Sequence, residues 1–296
     1  MLASQWKNWI GPKRSSAEQL SQALVQRWLA TFDLPQPASD AMPQGVHFCL
    51  ANPAAPTAML GADGHPRRDT EEPSFLPPIP LPRRMWAGSS IAFHAPLRIG
   101  AKVVRNSRIL SITEKTGGTG RLVFVEVEHE VLADGVLALC EVQTIVFRAA
   151  AAPDAPLSPP PAGNGSLNPA EWEAHRTLTP DAPLLLRYSA LTFNAHRIHY
   201  DLPYATGIER YRGLVVHGPL LASLLLQLAA GKFGQNGLRE FSFRSLSPAI
   251  AGEPLHLALR REDDGLELAA FAADGRQATR ASARLTPAAD RAQSAG

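Results

Sequence analysis

Apolar residues near the start of the chain recur every four positions, at Leu20, Leu24, Trp28 and Phe32. This spacing places them on one face of a helix. Ser15 and Glu18 precede them at the spacing of a capping box, in which each side chain satisfies a free backbone N–H of the first turn. The pattern therefore predicts a helix from Ser15 to about Phe32.

Alternation of apolar and polar residues takes over at 122–131 (LVFVEVEHEV), where valines occupy one face and glutamates the other. This period of two predicts a half-buried strand. Asp134 and Gly135 form a turn signal, so 136–147 is the expected partner strand. The sequence GGTG at 117–120 is interpreted as another hairpin turn. Four more strands are predicted at 240–245, 255–260, 266–271 and 278–285, the last with Thr279, Ala281 and Ala283 facing inward.

Residues 220–230 are apolar on nearly every side, which predicts a helix buried in a core. Pro219 suits its first turn, where a missing N–H costs nothing, and Gly231 and Gly234 are expected to end it. A buried helix followed by antiparallel strands is an α+β arrangement. The proline-rich stretch 51–84 is interpreted as a long surface loop of the kind that often carries function.

The chain divides into two similar units. Phe93, Pro96 and Gly100 lead into one pair of strands, and Phe243, Pro248 and Gly252 repeat this order in the second half. Residues 149–170 contain six prolines in 22 positions, which is a linker composition. We therefore expect a first unit at 1–148, with the leading helix and the proline-rich loop, a linker at 149–170 and a second unit at 171–296.

Composition excludes several classes of protein. With 29 Lys+Arg against 27 Asp+Glu, the net charge of +2 lacks the basic footprint of a nucleic-acid binder. Cys49 and Cys140 are too few for a disulfide framework or a cysteine metal cluster, and they fit a reducing cytoplasm. Apolar runs fall short of a membrane span, and the N-terminus lacks the apolar region of a secretory signal.

The densest polar segment runs from Ser189 to Asp201 and is followed by His217 and Gly218. His196 and His199 are three residues apart, but the HRIH sequence is not a zinc-protease motif, so no metal is expected. Neither a G-x-S-x-G elbow nor a G-x-G-x-x-G turn opening a helix after a strand occurs, which argues against a hydrolase serine and a dinucleotide site.

General acid–base chemistry suits this segment better. Histidine titrates near neutrality, so His199 is a candidate proton carrier. Asn194 is placed to orient a water molecule, and the N–H of Gly218 at a helix start can stabilise an oxyanion. The set is suited to enolate chemistry on a thioester. On these residues alone, an alternative stays open in which Asn194 caps a helix and His199 is an ordinary core histidine.

The segment resembles the MaoC-like hydratases, whose motif D-x-N-P-x-H-x-D is followed by an H-G-x-L helix start. His199 falls on the family's catalytic histidine, Asp201 on the following aspartate and Gly218 on the glycine that contacts the thioester carbonyl. Asn194 replaces the catalytic aspartate, while His196 and Arg197 replace the Asn-Pro pair. The stretch RYSALTFNAHRIHYD, with YRGLVVHGPL after it, is similar to the itaconyl-CoA and mesaconyl-CoA hydratases and the related type 2 hydroxyacyl-thioester dehydratases.

The resemblance implies a double hotdog: two antiparallel sheets, each wrapped around a helix, with a degenerate first unit and a catalytic second one. It implies His199, Asn194 and Gly218 as catalytic residues of a hydro-lyase. The acyl-CoA thioester is the expected partner, with CoA arriving as part of the substrate and no separate cofactor. A homodimer is the expected assembly.

A branched C5-dicarboxylic acyl group, as in itaconyl-CoA or mesaconyl-CoA, is the expected substrate, with citramalyl-CoA as product. Arginine holds carboxylates by paired hydrogen bonds, so Arg197 and Arg212 are candidate anchors with His196 as a second donor. Asp201 and His217 complete the expected substrate-binding set. The alternatives are a fatty-acyl dehydratase, a non-catalytic acyl-thioester binder and a thioesterase.

Overall fold

Ten strands form one antiparallel sheet in the computed structural model, which describes residues 4–68, 74–117 and 120–287. In the first half the strands are β1 (Lys13–Gln19), β2 (Arg83–Phe93), β3 (Lys102–Gly117), β4 (Gly120–Ala133) and β5 (Val136–Arg148). In the second half they are β6 (Ala174–Leu178), β7 (Leu238–Ser245), β8 (Leu255–Glu262), β9 (Gly265–Ala272) and β10 (Gln277–Leu285). The helices are α1 (Gln22–Thr31), α2 (Ala182–Leu191), α3 (Leu202–Gly207) and α4 (Gly218–Phe233).

The two halves share one strand order. It runs β1-β3-β4-β5-β2 in the first half and, from the other edge, β6-β8-β9-β10-β7 in the second. β2 pairs with β7, so the two five-stranded halves of the predicted double hotdog join edge to edge in one ten-stranded sheet. The seam is tight, because a Cβ on Gly88 would lie 2.3 Å from the Phe243 carbonyl oxygen.

The repeated glycines have one structural role. Gly100 and Gly252 adopt φ values of +90° and +86°, which favour glycine. Their N–H groups donate to the carbonyl oxygens of Leu20 (2.8 Å) and Pro180 (2.7 Å), at matching places in the two halves. The interpretation of the sequence echo as a duplicated unit is therefore confirmed.

The alternating patterns predict the strands well. β4 buries Val123, Val125 and Val127 completely, and Thr279 faces inward on β10 as expected. Asp134 and Gly135 both have positive φ and join β4 to β5. β3 and β4 pair as far as Gly117 opposite Gly120, while positions 118–119 of the predicted turn lie outside the described residues.

One predicted helix begins in the wrong place. Ser15 and Glu18 are in strand β1, where Ser15 Oγ donates to Asn106 Oδ1 at 2.6 Å and Glu18 accepts from the Ala51 N–H at 2.7 Å. The N-cap of α1 is Ser21, whose side chain accepts from the Leu24 N–H. Pairing with the edge of β3 overrides the local capping signal, because β-structure depends on its neighbours more than on local preference.

Helix α4 is the centre of the core. Nearly all of its residues from Pro219 to Ala229 are buried, and Gly234 at φ +92° ends it, whereas Gly231 lies inside the helix. One hydrophobic cluster joins α4 to Trp28 of α1 and to side chains of both halves. In the first half, the described residues after α1 contain only short 3-10 turns, at Val46–Cys49 and Thr57–Met59, in place of a long helix.

The predicted linker, 149–170, holds an isolated bridge between Ser158 and Tyr211 and the start of a 3-10 turn at Pro169. The unit boundaries stay a prediction. Cys49 is buried, and burial raises the pKa of its thiol, while Cys140 is half-buried; neither is in a disulfide. No described helix combines the length and apolar character that crossing a membrane requires.

Candidate active site

A compact turn after α2 positions the polar segment. Phe193 takes a positive φ of +49°, and Asn194 Oδ1 then accepts from the His196 N–H at 2.9 Å. A 3-10 turn at Arg197–His199 follows, and Asp201 caps α3 by accepting from the Tyr204 N–H. Short polar side chains that bond to nearby backbone favour such turns over continued helix. The result turns His199 inward.

His199 is buried with one ring nitrogen engaged. Nδ1 lies 2.7 Å from the Val215 carbonyl oxygen, which can only accept, so Nδ1 carries the proton and Nε2 keeps a free lone pair. Burial lowers the pKa of His199 to about 4 against the raising effect of this hydrogen bond. The ring is therefore neutral at pH 7 and can act as a base.

His217 packs against the ring of His199. Its ring stacks on His199 with a centroid distance of 3.5 Å and an interplanar angle of 18°. Its Nε2 is 2.8 Å from Ser189 Oγ, and its Nδ1 is buried with no hydrogen-bond partner in the part of the chain that the structure describes. Burial holds the pKa of His217 well below the ordinary value, with His199 as a second cause. The predicted substrate contact of His217 stays a prediction.

Gly218 opens α4 directly after His217. Its N–H has no acceptor in the described part of the chain, and it belongs to the positive end of a 16-residue helix. A Cβ at this position would approach Ser245 Oγ at 3.3 Å and the Trp86 carbonyl oxygen at 3.6 Å. A free N–H at a helix start beside a neutral histidine is suited to a developing oxyanion.

Asn194 divides its polar atoms between two tasks. Oδ1 accepts the His196 N–H and so shapes the turn, but Asn194 does not cap a helix, because the cap positions are Thr192 after α2 and His196 before the 3-10 turn. Nδ2 has no partner among the described residues and stays available as a donor to water. The predicted water-positioning role therefore falls to Nδ2 and stays a prediction.

Both arginines predicted to anchor a carboxylate already hold carboxylates of this chain. Arg197 pairs with Asp201 at 2.8 Å, also binds the Ala62 carbonyl oxygen and lies 4.2 Å over the Tyr204 ring. Arg212 binds both carboxylate oxygens of Glu253. These contacts give Arg197, Asp201 and Arg212 an architectural role, and a substrate contact by them remains untested.

The sequence did not single out Asp63, Gly64 and His65, which pack on the catalytic segment from the proline-rich loop. His65 Nδ1 is 2.8 Å from Asp63 Oδ2, and the His65 ring lies 4.1 Å from that of His196. The Arg197 N–H donates to the Asp63 carbonyl oxygen at 2.9 Å. The one sequence signal for these residues was the expectation that the long loop 51–84 carries function.

Asp63, His65 and His196 bring ligand atoms within 4.8 Å of one another, the donor set of a metal site. Arg84 and Arg68 add positive charge beside it, which opposes a cation. Burial lowers the pKa of His65 to about 4, with Arg84 as the second cause. For Asp63, burial raises the pKa, but the hydrogen bond from His65 and the nearby charges outweigh it and lower the pKa. The prediction of no metal stays a prediction.

Comparison with known proteins agrees with this geometry. Residues 45–251 match the family model of hydroxyacyl-thioester dehydratase type 2. A mesaconyl-C4-CoA hydratase of Chloroflexus aurantiacus is 42% identical over 289 residues, covering 96% of this chain and 99% of the relative. The mitochondrial hydroxyacyl-thioester dehydratase type 2 of Schizosaccharomyces pombe is 27% identical over 279 residues, with 81% and 87% covered.

Solved structures share the fold. A MaoC-like dehydratase from Phytophthora capsici superposes with a TM-score of 0.66 at 12% identity, covering 94% of this chain and 96% of its own. A Mycobacterium tuberculosis protein described as a double hotdog gives 0.53 at 13% identity, with 94% and 96% covered. The chain therefore belongs to the hydroxyacyl-thioester dehydratase type 2 family, and it is a MaoC-like hydro-lyase with a double hotdog fold.

Proposed function

We propose that this enzyme adds water to the double bond of a C5-dicarboxylic enoyl-CoA, with mesaconyl-C4-CoA as the favoured substrate and citramalyl-CoA as the product. The 42% identity to a mesaconyl-C4-CoA hydratase along nearly the whole chain carries the proposal. The free Nε2 of His199 and the free N–H of Gly218 supply the two groups that the reaction needs.

The proposed reaction balances without a cofactor. The oxygen of water bonds to Cβ while His199 Nε2 takes one of its protons. The electron pair of the double bond moves toward the thioester, and the Gly218 N–H stabilises the resulting enolate oxygen. His199 then returns the proton to Cα. Asn194 Nδ2 orients the water, and the reverse sequence dehydrates a 3-hydroxyacyl thioester.

The first test is turnover of pure protein on mesaconyl-C4-CoA, itaconyl-CoA and crotonyl-CoA, followed by mass spectrometry for the gain of one water. We expect the highest kcat/KM with mesaconyl-C4-CoA. A preference for crotonyl-CoA would reject this substrate in favour of a fatty-acyl dehydratase; the fission-yeast relative is named a hydroxyacyl-thioester dehydratase. Release of CoA thiol would indicate a thioesterase, and binding without turnover an acyl-thioester binder.

His199→Gln tests the mechanism. We expect kcat to fall by about 10²–10⁴-fold, the usual contribution of a general acid–base, with KM changed little. Arg280→Met is a suitable control, because Arg280 is exposed on the outer face of β10. Unchanged turnover by a folded His199→Gln protein would reject the assignment.

A homodimer in the cytoplasm, without a separate cofactor, completes the proposal. Analytical ultracentrifugation of the protein at several concentrations tests the assembly, and we expect the mass of a dimer.

A further inference from the structure

Arg84 is a half-buried arginine beside the active site whose guanidinium has no hydrogen-bond acceptor or ion-pair partner in the described part of the chain. Its neighbour Arg83 faces the other side of β2, since side chains alternate along a strand. Arg83 pairs with Glu209 at 2.5 Å and lies 5.1 Å over the Tyr211 ring, so it is structural. Arg84 makes no comparable contact with any residue that the structure describes.

A second arginine lies next to it. Phe147 of β5 is directly opposite Arg84 in the sheet register, and the Arg68 guanidinium lies 4.6 Å from the Phe147 ring centroid. Nη2 of Arg68 donates to the Leu81 carbonyl oxygen, but its Nη1 is buried without a partner among the described residues. The guanidinium groups of Arg84 and Arg68 thus lie near each other, and each has N–H donors that no described residue accepts.

This region adjoins the catalytic groups. Trp86 is two residues beyond Arg84, about 7 Å along the strand, and its carbonyl oxygen lies 3.6 Å from the Cβ position of Gly218. Arg84 also acts electrostatically on His196, whose ring is 5.5 Å from that of His199. β2 therefore carries Arg84 past the start of α4 on the side of the catalytic histidine.

Among the described residues, the charges in this region do not balance. Against Arg84 and Arg68, the described residues place one carboxylate nearby, Asp63, which is already bonded to His65. Burial lowers the pKa of Arg84 to about 10, so it stays charged at neutral pH. Uncompensated buried charge is costly, and an incoming anion offsets that cost.

We infer that Arg84 binds the free carboxylate of the substrate and thereby selects dicarboxylic acyl groups. The inference rests on the proposed function. In mesaconyl-C4-CoA the free carboxylate is on Cβ, the carbon that water attacks, so its binding group must lie close to the catalytic base. A guanidinium can hold it by two parallel hydrogen bonds and fix the position of Cβ. Arg68 Nη1 reinforces the positive potential.

The test compares two thioesters that differ at one position of Cβ: mesaconyl-C4-CoA and 3-methylcrotonyl-CoA, in which a methyl group replaces the carboxylate. For Arg84→Met we expect kcat/KM on mesaconyl-C4-CoA to fall by about 10- to 100-fold, the scale of one lost charged hydrogen-bonded contact. Turnover of 3-methylcrotonyl-CoA should change by less than about threefold. Arg84→Lys keeps the charge without the paired donors, so its loss should be intermediate.

The controls separate this inference from the proposed function. Arg280→Met should leave the preference between the two thioesters unchanged. Equal losses on both thioesters would overturn the inference and indicate a CoA contact or a folding role. If the wild-type enzyme itself shows no preference for mesaconyl-C4-CoA over 3-methylcrotonyl-CoA, the proposed function is rejected instead. If Arg84→Met does not fold, as judged by thermal unfolding, the ratio of kcat/KM on mesaconyl-C4-CoA to that on 3-methylcrotonyl-CoA is measured for Arg84→Lys and decides the question.

Discussion

One hydrogen bond at His199 determines which of its nitrogens can act. The Val215 carbonyl oxygen fixes the proton on Nδ1, and stacking on His217 fixes the plane of the ring. A neutral imidazole with a defined free nitrogen is what proton abstraction from water requires. His217 itself is completely buried and contributes through this support.

The pH dependence of turnover follows from the same residue. Burial lowers the pKa of His199 to about 4, so protonation removes the base only when the pH falls toward that value. We expect kcat/KM to stay flat from pH 8 to about 5.5, with the acid limb well below the ordinary histidine value of about 6.5. Initial rates in buffers of constant ionic strength measure this. A limb centred near 6.5 would contradict the assignment.

At the scale of elements, the loop 61–65 packs against the turn that leads to His199. Gly64 has φ +87°, and a Cβ there would lie 1.8 Å from the Ala195 carbonyl oxygen. The Asp63 carbonyl oxygen accepts the Arg197 N–H in the same contact. The backbone of Gly64 therefore contacts the backbone of Ala195 directly, and any larger residue at position 64 would displace the loop.

Gly64→Ala should undock the loop and reduce kcat/KM by more than about 10-fold, since a misplacement of about 1 Å in an active site can cost 10²-fold. Gly135→Ala is the matched control, because Gly135 has φ +84° with open space around it. Both variants carry the cost of a left-handed backbone, about 1–2 kcal/mol. Only Gly64→Ala adds the clash. Equal activity of the two variants would mean that docking of the loop is not needed for turnover.

At the scale of the whole molecule, the fused sheet makes the two halves one structure with unequal tasks. The second half supplies His199 and α4, whereas the first half supplies the loop 61–65 and strand β2. The residues around the candidate site therefore come from both sides of the β2–β7 seam. The half without the family motif thus contributes residues to the candidate site.

Buried histidines should make the fold sensitive to acid. Burial lowers the pKa of His47 to about 3 and those of His65 and His199 to about 4. The unfolded chain, with histidine pKa near 6.5, binds more protons, so stability rises with pH between about 4 and 6.5. Each such group contributes up to about 1.4 kcal/mol per pH unit. Burial raises the pKa of Glu141, so this one carboxyl group makes the free energy of unfolding decrease as the pH rises, opposite to the histidines.

Urea unfolding at pH 5.0, 6.0 and 7.5 measures this, and we expect the free energy of unfolding to increase along the series. His47→Gln should lower the slope of the free energy of unfolding against pH by the equivalent of about one proton, since glutamine does not titrate. A free energy that is constant or decreases with pH would contradict the prediction.

Local sequence determined most of the strands, helix α4 and the turn that carries His199. Alternating valines on β4 and the continuous apolar run of α4 express burial directly, because each period matches one backbone geometry. The catalytic turn and the start of α4 are also local, since Asn194, Asp201 and Pro219 act on neighbouring backbone within a few residues. For this reason the motif could be located before the fold was known.

Tertiary structure alone decided what lies around that motif. β1 is a strand because the edge of β3 pairs with it, although its own residues favour a capped helix. His65 meets His196 across more than a hundred residues of chain, and Arg84 is an ordinary strand position until the fold leaves its guanidinium without a partner beside the site. Contacts between distant segments have no local pattern, because each partner is chosen by packing and charge that exist only after the chain has folded.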